Sequence, residues 1–158
     1  IEPGEYAFSI YAWNYVGFKS HFSLVSVCEN EDVPKEFTDI IRSGSTRNAD
    51  HTDYSQRWEA LEEKHVALWD AERKKNMEDA KLVASYKIQS LENSYNSRRI
   101  TLEEKIREAY DENIRRMRMS ELENATERHH AKVESIKRQI AQADIHTTLI
   151  ANGIIRIN

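Results

Sequence analysis

Residues that interrupt regular secondary structure are scarce in this chain of 158 residues, which contains only four glycines and two prolines. With so few chain breakers, an all-β fold or an α/β enzyme with many turns is disfavoured, and long helices are favoured. The glycines are also too scattered to form a glycine-rich phosphate-binding loop; they are Gly4, Gly17, Gly44 and Gly153. We therefore expect no nucleotide hydrolysis by these residues.

Cysteine and long apolar runs are equally rare. The single cysteine, Cys28, cannot form an internal disulfide, so we expect a reducing, cytoplasmic compartment and read Cys28 as a small buried residue. No run approaches the roughly 18 apolar residues of a membrane span, so we expect no membrane partner. The chain begins Ile1-Glu2-Pro3-Gly4, without an initiator Met or a signal peptide, and we expect it to be a fragment of a longer protein.

Charge is abundant but nearly balanced. The 23 basic and 27 acidic side chains give a net charge of −4, which excludes a uniformly basic nucleic-acid-binding surface. The imbalance lies in residues 1–53, which hold four basic and nine acidic side chains. Residues 54–140 hold 18 basic and 17 acidic side chains, a balance that is typical of a charged, solvent-exposed helical surface.

The first segment, residues 1–53, is a small strand-rich head with a short helix. Apolar and aromatic residues alternate from Tyr6 to Tyr15, and a second β-branched run follows Gly17, which predicts a β-hairpin over residues 5–28. Asp32 and Pro34 predict the start of a short helix at about 33–42. The polar residues 43–53 predict a loop.

The second segment, residues 54–143, contains neither Gly nor Pro, and its apolar residues recur in steps of three and four, from Trp58 through Tyr110 to Ile140. This pattern predicts a coiled-coil seam. A continuous helix that pairs with a second chain and a hairpin of two helices both fit. We favour the hairpin because Thr101 and Glu104 match a capping box, which places the tip near 96–100 and pairs residues whose numbers sum to about 197.

The third segment, residues 144–158, ends in Asn152-Gly153 and a β-branched run, and it is predicted to return to the head as a strand. The predicted fold class is therefore mainly α with a small β portion. It comprises a long antiparallel helical hairpin on a small head of two or three strands and a short helix.

No residues are grouped in a way that predicts catalysis, a cofactor or a metal. None of the six histidines pairs with another His or Cys at metal-ligand spacing, and the paired carboxylates lie among basic residues at helical spacing. We therefore expect a non-enzymatic chain with no catalytic residue, no cofactor and no metal.

Two basic clusters are candidate contact sites for nucleic acid or a partner. Arg98 and Arg99 lie at the predicted tip, close to Tyr95. Halfway along the second helix, a further group faces Lys74 and Lys75 in the predicted register; it comprises Arg115, Arg116 and Arg118. The alternative interpretation is an ordinary charged coil surface.

Several short motifs resemble one family. The coil contains Ile114-Arg115-Arg116-Met117, and the tail motifs Ala143-Asp144-Ile145 and Leu149 to Ile157 follow it. Together they resemble a segment of large bacterial Snf-type superfamily-two DNA helicases. The head is similar in style to the same family in its motifs Gly4 to Phe8 and Tyr11-Ala12-Trp13. The resemblance implies a spacer or accessory module, with a projecting coiled-coil arm, of a parent chain that binds ATP and moves on DNA. No ATPase signature is present here.

Two other functions remain open. The first is a structural coiled coil that forms a homodimer or a scaffold. The second is an RNA-gripping helical arm like that of some transfer-RNA synthetases.

Overall fold

The computed structural model describes residues 1–46 and 53–158, so residues 47–52 of the predicted loop lie outside the described residues. The elements are β1 (Gly4–Val16), β2 (His21–Cys28), α1 (Val33–Ser43), α2 (Ser55–Glu108), α3 (Glu112–Ala141) and β3 (Asp144–Ile157). The predicted fold class, mainly α with a small β head, is confirmed.

The three strands form one antiparallel sheet in the order β2-β1-β3. Gly17, in the turn between β1 and β2, has a φ of 85°, a backbone conformation that glycine adopts without strain. Strand β3 pairs with β1 from Gly4↔Ile157 to Val16↔Asp144. The register between them skips Ile150, which marks a β-bulge.

The alternation along β1 produces the core of the head. Ala7, Tyr11, Trp13 and Tyr15 lie on one face and pack with one residue from each neighbouring element, namely Val27, Leu61 and Ile145. Two tryptophans of α2 donate hydrogen bonds to β3. Trp58 Nε1 donates to the Gly153 carbonyl (3.4 Å), and Trp69 Nε1 donates to the Ile145 carbonyl (2.8 Å). Helix α2 thus covers this face of the sheet.

The opposite face of the sheet is covered only in part. Helix α1 contributes Phe37, whose ring meets that of Phe8 edge-on at 5.3 Å. The Phe8 ring also lies so close to Gly153 that a Cβ added at this position would come within 2.4 Å of the ring, so any larger residue here would displace Phe8. Farther along the same face, Phe22 and Leu24 of β2 remain exposed.

The hairpin turns at residues 109–111, so the predicted tip at 96–100 is wrong. Residues 96–100 lie inside α2, where Thr101 Oγ1 donates to the Ser97 carbonyl (3.1 Å) instead of capping a new helix. The cap of α3 is Asp111, which accepts hydrogen bonds from the amides of Asn113 (2.8 Å) and Ile114 (3.4 Å). The end of α2 at Glu108 also excludes a continuous helix over 54–143.

Contacts of Tyr95 fix the register of the hairpin. Its hydroxyl lies 2.8 Å from Thr126 Oγ1, and its ring stacks on that of His129 at 4.5 Å. Tyr95 and Thr126 are almost equally distant along the chain from Tyr110, so α2 and α3 run antiparallel. The predicted register, in which residue numbers sum to about 197, is therefore wrong, because it depended on the misplaced tip.

The chain divides into two compact units. The head unit is Ile1–Lys75 with Asp144–Asn158, and the hairpin unit is Asn76–Ala143. The start of α2 therefore belongs to the head, because Leu61 and the two indoles pack on the sheet. In the hairpin unit, the buried residues are four alanines, one leucine and one asparagine; they are Ala80, Ala84, Ala125, Ala143, Leu102 and Asn76.

Candidate contact surface at the hairpin turn

The turn of the hairpin presents an aromatic side chain to solvent. Tyr110 is 99% exposed, so its inclusion in the predicted apolar seam is wrong. The backbone around it is held on both sides, because Arg115 Nη2 donates to the Ala109 carbonyl (2.6 Å) and Asp111 caps α3. The phenol ring is therefore available to a ligand.

Three of the predicted arginines lie beside this turn, in the first two turns of α3, rather than halfway along the helix. Arg115 and Arg116 both pair with Glu112 (3.2 and 3.5 Å), and Arg118 pairs with Glu121 (2.9 Å). The Arg116 side chain is 75% exposed, so its pair with Glu112 is weak and it remains able to bind an external anion, whereas Arg115 and Arg118 are half-buried.

Two residues of this surface, Tyr110 and Arg107, were not predicted from the sequence. Arg107 lies in the last turn of α2 and is exposed. From Lys105 to Arg118 there are five basic and three acidic side chains, a net charge of +2. The sequence did contain a signal for the start of α3, because Asp111 followed by Glu112 matches an N-cap with an acidic first turn. The capping-box pattern of Thr101 and Glu104 competed with that signal.

The first predicted contact group does not come together as a surface. Tyr95 is half-buried in the seam against Thr126 and His129, so it cannot stack on a ligand. Arg98 is exposed, and Arg99 pairs with Glu103 at 3.2 Å. This group lies within α2 and away from the turn.

The second predicted group is divided between the two units. Lys74 and Lys75 are exposed residues of the head unit, whereas Arg115, Arg116 and Arg118 belong to the hairpin unit. The facing arrangement predicted for them rested on the register that Tyr95 and Thr126 contradict. Lys74 and Lys75 are therefore not part of the surface at the turn.

An open groove of about 530 Å³ lies between the helices next to the turn. Its lining combines apolar and charged side chains: Ile106, Arg116, Met119, Ser120, Leu122 and Glu123. Beside it, Ile114 and Met117 are 44% and 50% exposed. An exposed tyrosine, apolar side chains and guanidinium groups together can stack on a flat ring and bind anionic oxygens.

The buried ionisable groups of the head are used for packing. Burial raises the pKa of the Cys28 thiol, which keeps it protonated and unreactive at neutral pH. Burial lowers the pKa of His65, whose Nε2 accepts the Trp13 indole proton. Over residues 1–46 and 53–158, no three His, Cys, Asp or Glu side chains are grouped closely enough to hold a metal ion.

Within the part of the chain that the structure describes, no helix has both the length and the apolar character of a membrane span.

Comparison with known proteins gives no relative. No family model matches the chain, and neither the curated proteins nor the solved structures contain a significant match.

Proposed function

We propose that this chain is a non-catalytic accessory module of a DNA helicase or translocase, and that its hairpin turn contacts single-stranded nucleic acid. The observation that carries the proposal is the Tyr110 ring, which is 99% exposed and is flanked in the chain by the acidic residues Glu108, Asp111 and Glu112 and, beyond them, by Arg107, Arg115 and Arg116. The resemblance of the tail and coil motifs to Snf-type helicases supplies the context.

The chemistry of the turn suits an unpaired strand better than a duplex. An aromatic ring stacks on an unstacked base and contributes about 1–3 kcal/mol per base without selecting a sequence. Arg107 and Arg116, both exposed, are able to contact the flanking phosphates. A net charge of +2 on this segment corresponds to few phosphate contacts, so binding is weak and sensitive to salt.

The test is fluorescence anisotropy with a labelled poly-dT oligonucleotide at about 50 mM salt. Loss of one stacking contact in Tyr110→Ala weakens binding by about tenfold, since tenfold corresponds to about 1.4 kcal/mol. The double variant Arg107→Glu/Arg116→Glu removes binding at this salt concentration. A matched double variant farther along α3, Arg128→Glu/Lys132→Glu, retains binding.

Two outcomes contradict the proposal. The first is a wild-type chain that does not bind the oligonucleotide at low salt. The second is an equal loss of binding in both double variants, which would indicate a diffuse charge effect rather than a contact at the turn.

A scaffold role is the second candidate, and one observation favours it. Leu82, Val83 and Tyr86 are 54%, 37% and 63% exposed on one face of α2, away from the buried Ala80 and Ala84. Side-by-side association of two hairpins through this face would explain the exposure. In that case Leu82→Lys/Tyr86→Lys lowers the mass measured by light scattering, whereas the variants at the turn do not.

A further inference from the structure

The two edge strands of the sheet differ in how well they are protected against pairing. Strand β3 carries a bulge at Ile150 and the charged residues Asp144 and Arg156, features that discourage an additional strand. Strand β2, His21–Cys28, carries no Asp, Glu, Lys, Arg or Pro, and its register with β1 is unbroken. An edge of this kind is a template for another strand.

Exposed apolar side chains accompany this unprotected edge. Phe22 and Leu24 are 62% and 63% exposed, and both lie on the sheet face opposite the core. Phe37 of α1 covers another part of that face, where it contacts Phe8. Phe8 lies opposite Cys28, at the far end of β2 from Phe22.

The charges that flank β2 indicate the orientation of the incoming strand. Lys19 precedes the strand, whereas Glu29, Glu31 and Asp32 follow it. All three have a partner in their own chain, because Glu29 pairs with Arg57, Glu31 with Lys64 at 3.5 Å and Asp32 with Lys35 at 2.9 Å, but the Glu31 and Asp32 side chains remain 83% and 68% exposed. A second β2 in antiparallel orientation brings its own Lys19 toward this acidic end, and the reciprocal pair forms by symmetry. A parallel arrangement brings like charges together.

We propose that two copies of this chain pair through β2 in antiparallel orientation, with a two-fold axis at Leu24, and form one six-stranded sheet. In this register Leu24 of one copy lies opposite Leu24 of the other, and Phe22 lies diagonal to it on the same face. The two-fold interface is closed, so it covers the β2 edge of both copies without further growth. This dimer uses the sheet, not the coil, so its failure leaves the proposed nucleic-acid contact unaffected.

The primary experiment is multi-angle light scattering across a concentration series of the whole chain. We expect the mass to rise with concentration toward twice the chain mass of 18.5 kDa. Leu24→Lys places two like charges on the axis and keeps the chain at the single mass. Ile150→Lys, at a position 57% exposed on the other edge strand, still dimerises.

Unchanged tryptophan emission in both variants establishes that the head is folded. A wild-type chain that stays at 18.5 kDa throughout, or a Leu24→Lys variant that doubles in mass as the wild type does, overturns the proposal.

Cysteine oxidation tests the register. Leu24→Cys places two thiols directly opposite each other, within the roughly 7 Å Cα separation that a disulfide requires, so mild oxidation yields a covalent dimer. In Phe22→Cys the two thiols are offset by four residues, or roughly 13 Å, and they do not join. Equal cross-linking of the two variants contradicts a two-fold axis at Leu24.

A charge exchange tests the orientation. In this register Lys19 lies opposite Glu29 and near Glu31 of the other copy, so Lys19→Glu makes both symmetry-related contacts repulsive and raises the dissociation constant of the dimer about five- to tenfold. The second substitution Glu31→Lys in the same chain restores part of the lost affinity, because Glu29 is unchanged. Failure of this restoration contradicts the antiparallel arrangement.

Discussion

His65 connects α2 to two strands of the sheet. Its Nε2 accepts the Trp13 indole proton at 2.9 Å and lies 3.2 Å from Thr147 Oγ1, while its ring stacks on Tyr11. Because Nε2 is an acceptor for Trp13, the ring is neutral in this arrangement and carries its proton on Nδ1. The side chain is 2% exposed, so a protonated ring would be both desolvated and unable to accept the indole hydrogen bond.

The pKa of His65 is lowered by burial, an effect that the Glu62 carboxylate partly offsets. As the pH falls below 6.5, the ordinary pKa of histidine, the unfolded chain binds a proton at His65 that the folded chain does not. The contribution of His65 to the free energy of unfolding is therefore complete above this pH and decreases as the pH falls below it. The slope due to His65 cannot exceed about 1.4 kcal/mol per pH unit, the limit for one proton.

Urea unfolding at several pH values between about 7.5 and 5 measures this slope. The carboxyl groups with lowered pKa, such as Glu29 and Asp144, titrate at lower pH and contribute little in this range. The control is His65→Gln, which keeps an acceptor for Trp13 but does not titrate, so its slope is smaller than that of the wild type. Identical slopes for the two proteins would show that His65 is not responsible.

Among the elements, α3 depends on the residue that caps it. Asp111→Ala removes the acceptor of two amide hydrogen bonds and lowers the free energy of unfolding of the hairpin by about 1 kcal/mol. The matched variant is Thr101→Ala, at the cap that the sequence pattern predicted. Thr101 lies inside α2, where alanine is the better helix former, so this change is neutral or slightly stabilising.

Thermal unfolding followed by circular dichroism at 222 nm distinguishes the two cap variants. A larger loss of stability for Thr101→Ala than for Asp111→Ala would restore the turn at 96–100 and contradict the observed one.

Element types were predictable from the sequence, but the turn between the two long helices was not. Alternation along β1 and the absence of Gly and Pro from Tyr54 to Ala143 are strong local signals, and both gave the right class of structure. The residues of the turn, 109–111, contain no chain breaker, and a capping-box pattern at Thr101 competed with them. A seam that repeats along its whole length also fits many registers, so only a specific pair such as Tyr95 and Thr126 selects one.

This single error accounts for most of the misplacement of the candidate site. Moving the turn to 109–111 takes Arg98 and Arg99 away from the tip and brings Arg115, Arg116 and Arg118 next to it. It also changes Tyr110 from an apolar seam residue to a solvent-exposed one. The arginines of α3 were thus predictable as candidate contact residues, whereas Tyr110 and Arg107 were not, because their place at the turn depended on the register of the hairpin.

For the whole molecule, the head unit requires both ends of the described chain. Deletion of residues 144–158 removes β3, the fully buried Ile145 and the acceptor of the Trp69 indole. The remaining two strands are only marginally stable in water, so we expect the head to lose its tertiary packing. The hairpin unit, Asn76–Ala143, retains all its residues, so most of the helical signal remains.

Intrinsic fluorescence reports this loss selectively, because all three tryptophans, Trp13, Trp58 and Trp69, lie in the head unit. The truncated chain is expected to show red-shifted emission together with a largely preserved far-ultraviolet helical spectrum. Wild-type emission from the truncated chain would show that β3 is dispensable for the core.

Pairing of β3 with β1 also has a consequence for the order in which the molecule folds. Gly4 and Ile157, which pair in the sheet, are separated by nearly the whole chain, whereas contacts across the hairpin are local near its turn. Local contacts form faster than distant ones, and each halving of a loop lowers its entropic closure cost by about 0.6 kcal/mol. Prior folding of α2 against α3 shortens the effective loop, so we expect β3 to dock after the hairpin has closed.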